Sequence, residues 1–306
     1  MNKVHNHNHG HNHCHLEHSN SRNLIIVLFI TALYMIAEFL GGYYTKSLAL
    51  TADAGHMLGD VASIALSLWA LNLASKKAPS SKTFGYYRVE ILSAFVNGCT
   101  LVFIAFGIIY EAYLRLSFMQ KIDALSMSVI AIGGLIVNVL AAFLLHRGSH
   151  ENLNVKGAFF HVLGDLLGSI GAILAGLIIY FWHLYIADTI ISVVIALLVL
   201  YSSFNLINSA VRVLMEAVPA NVDINEINSV IKQVNGVLNI HDLHIWSINS
   251  ANISLSVHVV ADLKNSEQIL CSINQILIEN FNILHSTIQV EPNDFHENSC
   301  SINKSL

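Results

Sequence analysis

The pattern of apolar and polar positions divides the chain into a long membrane-embedded part and a shorter water-soluble part. Apolar segments in the first two thirds reach the length of about 20 helical residues that crosses a hydrocarbon core of about 30 Å. The first segment is not expected to be a cleavable signal peptide, because its apolar run is too long and no small-residue cleavage site follows. Six transmembrane helices are predicted, at about 23–43, 48–74, 88–112, 123–146, 155–182 and 185–208.

Beyond the sixth predicted helix, the pattern changes to that of a small mixed domain. Asp223 is expected to cap a helix that reaches about Val234. Apolar and polar residues alternate over 253–261, which is typical of a half-buried strand. Further strands are predicted at 240–249 and 286–291, and a helix at 266–281. The order αββαβ predicts a small α+β sandwich.

The chain is therefore expected to have two folded domains and two tails. The histidine-rich N-terminal tail has a low-complexity polar sequence with nothing to pack, so it is predicted to be disordered without metal. The predicted boundaries are a tail at 1–21, a six-helix membrane domain at 22–216, a soluble domain at 217–292 and a second tail at 293–306.

Composition and charge agree with a membrane protein. Of 306 residues, 54% are hydrophobic and only 11% are charged, well below the roughly 25% of soluble domains. The net charge of −5 gives no basis for nucleic-acid binding. Basic residues such as Arg22, Lys77 and Arg147 concentrate on one side of the predicted bundle, which predicts that both termini are cytoplasmic. The four Cys form no CxxC pair, whereas the 17 His outnumber Lys and Arg together and point to metal.

Two His-x-x-x-Asp motifs lie inside predicted transmembrane helices, His56/Asp60 in the second and His161/Asp165 in the fifth. Residues four apart lie on one face of a helix, so each pair can direct an imidazole and a carboxylate to a common point. At about 1.5 Å per residue, both pairs fall near the middle of the bilayer. Glycines on these two helices permit close approach; they are Gly55, Gly59, Gly164 and Gly168.

These four side chains form the N2O2 ligand set of a tetrahedral Zn2+ site. An isolated Asp at the centre of a membrane helix costs about 2.5–3.5 kcal/mol, so two of them without partners are unfavourable. A single His-x-x-x-Asp pair can equally be explained by a hydrogen bond between the two side chains within one helix. Two such pairs at matching depth in the membrane favour a metal site. Because His binds Zn2+ only when neutral and Asp only when ionised, protons compete with the metal.

At these motifs the sequence resembles the cation diffusion facilitator family of zinc transporters, in its zinc-preferring branch of bacterial exporters and vesicular transporters. The resemblance implies a homodimer, a cytoplasmic ferredoxin-like or metallochaperone-like domain, and Zn2+/H+ antiport by alternating access. The short loops and the lack of an organelle signal indicate a bacterial inner membrane. The matching strings lie at 47–70, 84–98, 149–173 and 241–246.

The resemblance also implies a cytoplasmic zinc site at His241, His258 and Glu291, and the strand alternation puts His258 on a polar face. Gln289 replaces a His of some bacterial relatives, which weighs against a two-zinc site within the domain. The vesicular branch adds ligands from the N-terminal tail of the neighbouring protomer and from late cysteines. Their counterparts here, which could equally be surface residues, are His13, Cys14, His15 and Cys300.

Other polar residues in the predicted helices have two interpretations each. Glu38 and Asp53 are expected either to line an outward path for ions or protons, or to be hydrated near the outer interface. Asn138 would hydrogen-bond either to a metal-binding Asp or to another helix. Arg88 and Glu90 are expected to form a structural ion pair rather than to act as ligands.

We therefore predict a proton-coupled zinc exporter, a secondary transporter and not an enzyme. An intramembrane metallohydrolase would need an open metal position and a general base, and neither an HExxH nor a GxSxG motif is present. A zinc-responsive membrane sensor is the third alternative, and it would bind metal without transporting it.

Overall fold

A computed structural model describes residues 14–74, 78–118, 120–146, 153–250 and 252–293. Some side chains within the helices also lie outside the described set. They are those of residues 14–25, 27, 63–64, 67–68, 70–72, 74, 145–146 and 153–164.

Six long helices account for the membrane domain in the described part of the chain, and five of them are long and apolar enough to cross a membrane. Each contains most or all of one predicted transmembrane segment. The first helix begins inside the predicted N-terminal tail, at Cys14. The bounds are α1 Cys14–Thr45, α2 Leu48–Ala74, α3 Arg88–Ser117, α4 Ala124–His146, α5 Leu153–Trp182 and α6 Ile186–Leu214.

Two connections between these helices are only two and three residues long, and α4 has a defined cap. A two-residue turn joins α1 to α2, and Lys46 in this turn has a positive φ of 60°. Three residues, 183–185, separate α5 from α6, one more than the predicted turn. Asp123 precedes α4 and caps it, since its carboxylate accepts hydrogen bonds from the backbone N–H and the hydroxyl of Ser126.

The chain divides into two compact units. The helical unit consists of residues 1–66 and 96–205. The mixed unit consists of residues 67–95 and 206–306, so it includes ends of α2, α3 and α6 together with the C-terminal domain.

The C-terminal domain has the predicted αββαβ order, with a 3-10 turn before its second helix. Strands β1 and β2 pair antiparallel, and β3 pairs parallel with β2 after the crossover through α8. Asp223 caps α7 as predicted, because its side chain accepts a hydrogen bond from the Asn225 N–H. The elements are α7 Ile224–Lys232, β1 Val237–Ser247, β2 Ile253–Ala261, α8 Ser266–Phe281 and β3 His285–Glu291.

The core of this domain lies between the helices and one face of the sheet. Ile269, Ile273 and Leu277 of α8, spaced four residues apart, are buried. They form one apolar cluster with Leu255, Val257 and Val259 of β2. Since side chains of a strand alternate between faces, the residues between these three belong to the other face of the sheet.

Candidate metal centres

The first candidate metal centre lies in the helical unit, where α2 and α5 meet. His56 Nε2 lies 3.4 Å from Asp165 Oδ1 on the other helix, and 3.9 Å from Asp60 Oδ2 one turn along its own helix. Ligand atoms of these three residues all lie within 4.8 Å of one another. A small ion between the three would therefore contact one nitrogen and two carboxylate oxygens.

His161, the fourth predicted ligand, lies on α5, one turn before Asp165. Its side chain is outside the described set, so its distance from the other three ligands stays a prediction. The helix in which it lies is continuous through Asp165, so the spacing of four residues keeps both on one face.

Two of the predicted close-approach glycines bring helices together beside this centre. A Cβ atom at Gly168 of α5 would lie 2.8 Å from Asp53 Oδ1 on α2. A Cβ atom at Gly59 would lie 2.4 Å from Leu101 Cδ2 on α3. A side chain at either position would require Asp53 or Leu101 to move, so the two glycines make room for these side chains between the helices.

A further contact, not found from the sequence, lies next to Asp60. Asn97 on α3 is buried, and its side-chain amide donates a 3.0 Å hydrogen bond to the carbonyl oxygen of Gly59. This bond ties α3 to the backbone of α2 one residue before a candidate ligand. A buried amide within an apolar segment is a sequence signal for such a bond.

Glu38 and Asp53 are both buried in the described structure, at 0% and 3% exposure, rather than hydrated. The Tyr34 hydroxyl lies 3.4 Å from Glu38 and donates its shorter bond, 2.7 Å, to the Ile130 carbonyl. Among the described residues, no Lys or Arg forms an ion pair with either carboxyl group. Asp53 lies three residues before His56 on α2, and the part of Glu38 and Asp53 in an ion or proton path stays a prediction.

Asn138 of α4 hydrogen-bonds to another helix rather than directly to a candidate ligand. Its amide donates to the Ser169 hydroxyl at 3.3 Å. Ser169 lies one turn after Asp165 on α5, so this contact joins α4 to the helix that carries this candidate ligand.

A second feature missed from the sequence is the buried carboxylate of Asp188, at the start of α6. It accepts hydrogen bonds from the Ser47 hydroxyl at 2.6 Å and from the Leu48 and Ala49 N–H groups at the beginning of α2. Arg115 lies 3.5 Å away. Asp188 therefore caps the helix that carries His56 and Asp60 from a different part of the chain. In the sequence, the available signal for this role was a single acidic residue, Asp188, near the start of an apolar segment.

The second candidate metal centre lies on the sheet face of the C-terminal domain that points away from the apolar core. The pairing register puts His241, His258 and Gln289 side by side on β1, β2 and β3. Glu291 follows two residues later on β3 and therefore shares the face of Gln289. Alternation along β2 predicts from the sequence that His258 lies on the polar face of the sheet. Which residues lie beside it is decided by the pairing of β2 with β1 and β3.

Glu291 is the centre of this group. It is only 3% exposed, and its two oxygens face two imidazoles: His241 Nε2 at 3.0 Å and His258 Nδ1 at 2.8 Å. Gln289 donates a 2.7 Å hydrogen bond to Glu291 Oε1. Ligand atoms of His241, His258 and Glu291 lie within 4.8 Å of one another.

The remaining predicted residues are not part of either described group. His13 and Cys300 lie outside the described residues, and only the helical backbone is described at Cys14 and His15. Their participation in a metal site stays a prediction.

The predicted Arg88–Glu90 ion pair is wrong. Arg88 instead pairs with Glu216, 2.6 Å away near the end of α6, and Glu90 accepts a hydrogen bond from Ser250. Neighbouring residues at the start of one helix point in different directions, so partners from distant segments take their place.

Comparisons with known proteins cover nearly the whole chain. Residues 24–215 match the cation efflux transmembrane domain, and residues 219–293 match the cytoplasmic domain of cation efflux proteins. A cadmium, cobalt and zinc/H(+)-K(+) antiporter of Bacillus subtilis is 45% identical over 281 residues, which cover 90% of each chain. The zinc transporter ZitB of Escherichia coli is 38% identical over 293 residues, 95% of this chain and 93% of the relative. The solved metal-bound C-terminal domain of the CzcD transporter from Cupriavidus metallidurans is 42% identical; the match covers 23% of this chain and 99% of that one, with a TM-score of 0.22.

Proposed function

The chain belongs to the cation efflux family, and we propose that it carries Zn2+ out of the cytoplasm in exchange for protons. One observation carries the proposal: ligand atoms from two different membrane helices, His56 of α2 and Asp165 of α5, lie 3.4 Å apart. Relatives named as a zinc transporter and as a cadmium, cobalt and zinc/H(+)-K(+) antiporter support the substrate and the exchange.

In this proposal Zn2+ is transported from a tetrahedral site of His56, Asp60, His161 and Asp165. The two carboxylates neutralise the 2+ charge, and the two imidazoles complete the coordination that Zn2+ prefers. The chemistry of these ligands also binds Cd2+ and Co2+, so both ions are proposed as competing substrates.

The same ligands couple transport to protons. Each imidazole must be neutral and each carboxylate ionised to bind Zn2+, so a proton that binds displaces the metal. Rocking of the helix bundle around a fixed site would expose the ligands first to one side of the membrane and then to the other. We propose a homodimer in a bacterial plasma membrane with both termini in the cytoplasm.

We also propose a second Zn2+ bound by the cytoplasmic domain through His241, His258 and Glu291. Two imidazoles and one carboxylate form the donor set of a zinc site with three protein ligands. The Glu291 carboxylate is only 3% exposed and lies between the two imidazoles. The bound metal would supply a positive charge that offsets the buried Glu291. This metal would be resident in the domain, unlike the transported ion.

Flux across reconstituted membranes tests the transport proposal. Liposomes containing the protein and a zinc-sensitive dye are given a pH gradient, and saturable Zn2+ flux that follows the gradient is expected. Asp60→Asn should abolish the flux, whereas Asp123→Asn, in an exposed helix cap, should leave it unchanged. Flux that ignores the pH gradient would refute proton coupling. Zinc binding without any flux would refute transport and favour a sensor.

A further inference from the structure

The HDLH segment, residues 241–244, directs two consecutive side chains to one histidine. The rings of His241 and His258 lie 5.1 Å apart between centroids. Asp242, the next residue, has its Oδ2 atom 3.6 Å from His258 Nε2. Consecutive residues of a regular strand point to opposite faces of the sheet, so a regular strand could not make both contacts.

An irregularity in β1 makes the two contacts compatible. The pairing of β1 with β2 shifts between His241 and His244. Within this shift Asp242 has a φ of 51°, in the left-handed region that Asp tolerates better than most residues. Bulges of this kind re-aim side chains beside functional sites. Asp242 is therefore turned toward the face that carries His258.

The two ring nitrogens of His258 face two different carboxylates. Its Nδ1 atom lies 2.8 Å from Glu291 Oε1, on the side of the proposed zinc site. Its Nε2 atom, on the other side of the Cε1 carbon, faces Asp242. The other oxygen of Asp242 lies 2.9 Å from His244 Nε2, so His244 holds the Asp242 carboxylate in place.

We propose that Asp242 is a positioning residue for the cytoplasmic zinc site, an inference that rests on the second Zn2+ of the proposed function. A neutral imidazole carries one N–H and one acceptor nitrogen. With Zn2+ bound at Nδ1 of His258, the N–H of the ring would lie on Nε2, and Asp242 is placed to accept it. Metal-binding histidines commonly donate their other N–H to a carboxylate in this way.

This arrangement supports each side of the proposed zinc site differently. Asp242 orients the imidazole of His258, and Gln289 orients the Glu291 carboxylate through its 2.7 Å hydrogen bond. The 3.6 Å separation of Asp242 from His258 exceeds a hydrogen bond, and we expect it to shorten when the metal fixes the ring. The HDLH segment thus supplies a ligand, a positioning carboxylate and the histidine that holds it.

Zinc affinity of the full-length protein in detergent tests the proposal. A background with Asp60→Asn and Asp165→Asn removes the transport site, and Zn2+ is titrated against a chromogenic chelator. Asp242→Asn should weaken the cytoplasmic site by about 10-fold to 100-fold, and Asp242→Glu should recover most of the affinity. Asp262→Asn is the matched control, because Asp262 is an exposed cap of the 3-10 turn without contact to the site.

Two further readouts separate positioning from structure. Bound Co2+ should show a changed visible spectrum in Asp242→Asn, and the metal-free melting temperature should stay within a degree or so of the background protein. Unchanged affinity in Asp242→Asn, with affinity lost in His258→Ala, would overturn the role of Asp242 alone. Unchanged affinity in His258→Ala would instead refute the zinc site itself. A large fall in metal-free melting temperature would show a structural role and also overturn the proposal.

Discussion

His56 on α2 and Asp165 on α5 approach to 3.4 Å inside the helical unit, although the two residues lie far apart in the sequence. The approach joins an imidazole to a carboxylate from another helix, and Asp60 adds a second carboxylate from the His56 helix. A group assembled from two helices can change its geometry when those helices move, which a group on a single helix cannot do. That property is what a transport site needs.

Asp165→Asn is expected to abolish Zn2+ flux. The amide keeps the size of the side chain but removes the negative charge of a proposed ligand. The loss of flux should exceed the roughly 10-fold to 100-fold loss that is typical when a residue that only positions a ligand is replaced. Flux into proteoliposomes measures the effect. Asp123→Asn is the control, and a variant at position 165 with wild-type flux would remove Asp165 from the ligand set.

Zinc binding to the transport site is expected to weaken as pH falls. Protons and Zn2+ compete for the same nitrogen and oxygen atoms, so binding releases protons and lowering the pH favours release. Titrations at about pH 8 and about pH 6, on protein with His258→Ala to remove the cytoplasmic site, measure the change in affinity. A pH indicator in weak buffer should record acidification when Zn2+ is added. Affinity that is independent of pH would contradict exchange for protons at these ligands.

Gly168→Ala is expected to lower flux and stability, because its methyl group would lie 2.8 Å from Asp53 Oδ1. The added carbon forces α5 and α2 apart or displaces the Asp53 carboxylate. Asp53→Ala in the Gly168→Ala protein should restore the melting temperature in part, and the four variants form a double-mutant cycle. Strictly additive losses of melting temperature would show that the residues at positions 168 and 53 do not clash.

Asp123→Ala is expected to lower the melting temperature without changing zinc affinity. An N-cap of this type typically contributes about 0.5–2 kcal/mol. Asp123→Asn should retain most of that contribution, since Asn is an equally good cap. A loss of zinc affinity in either variant would contradict a purely local role.

The same residue has a defined pH dependence. The hydrogen bonds from Ser126 lower the pKa of the Asp123 carboxyl below its usual value. A carboxyl with a lowered pKa in the folded state stabilises the fold above its unfolded pKa, and the contribution is lost as pH falls through the folded value. The melting-temperature difference between wild type and Asp123→Asn should therefore shrink below about pH 4.

Local sequence periodicity was sufficient to predict the bounds of an element that buries one of its own faces. The predicted helix 266–281 coincides with α8, because Ile269, Ile273 and Leu277 at helical spacing define the buried side without reference to other segments. β1 was predicted at 240–249 but is observed at Val237–Ser247. Its start is decided by the pairing of Val237 with Ala261, which belongs to another strand.

Long-range partners account for the features that the sequence did not reveal. Arg88 was assigned to a neighbouring acid but pairs with Glu216. Asp188 and Asn97 were not predicted from the sequence, because their roles depend on hydrogen bonds to the start and to the backbone of α2. Asp242 was not predicted as part of a site, because the irregularity in β1 that turns its side chain toward His258 is a property of the strand pairing.

The sequence by itself determined the membrane class, the order of the helices and strands, and the His-x-x-x-Asp spacing that puts two candidate ligands on one face of each helix. These are properties of short segments, fixed by helix and strand periodicity and by the cost of exposing polar groups to lipid. Only the tertiary structure decided that α2 meets α5 at His56 and Asp165, and that Glu291 lies between His241 and His258. These contacts depend on which faces of sequence-distant helices and strands pack together. The residue pattern of one segment carries no information about the segment against which it packs.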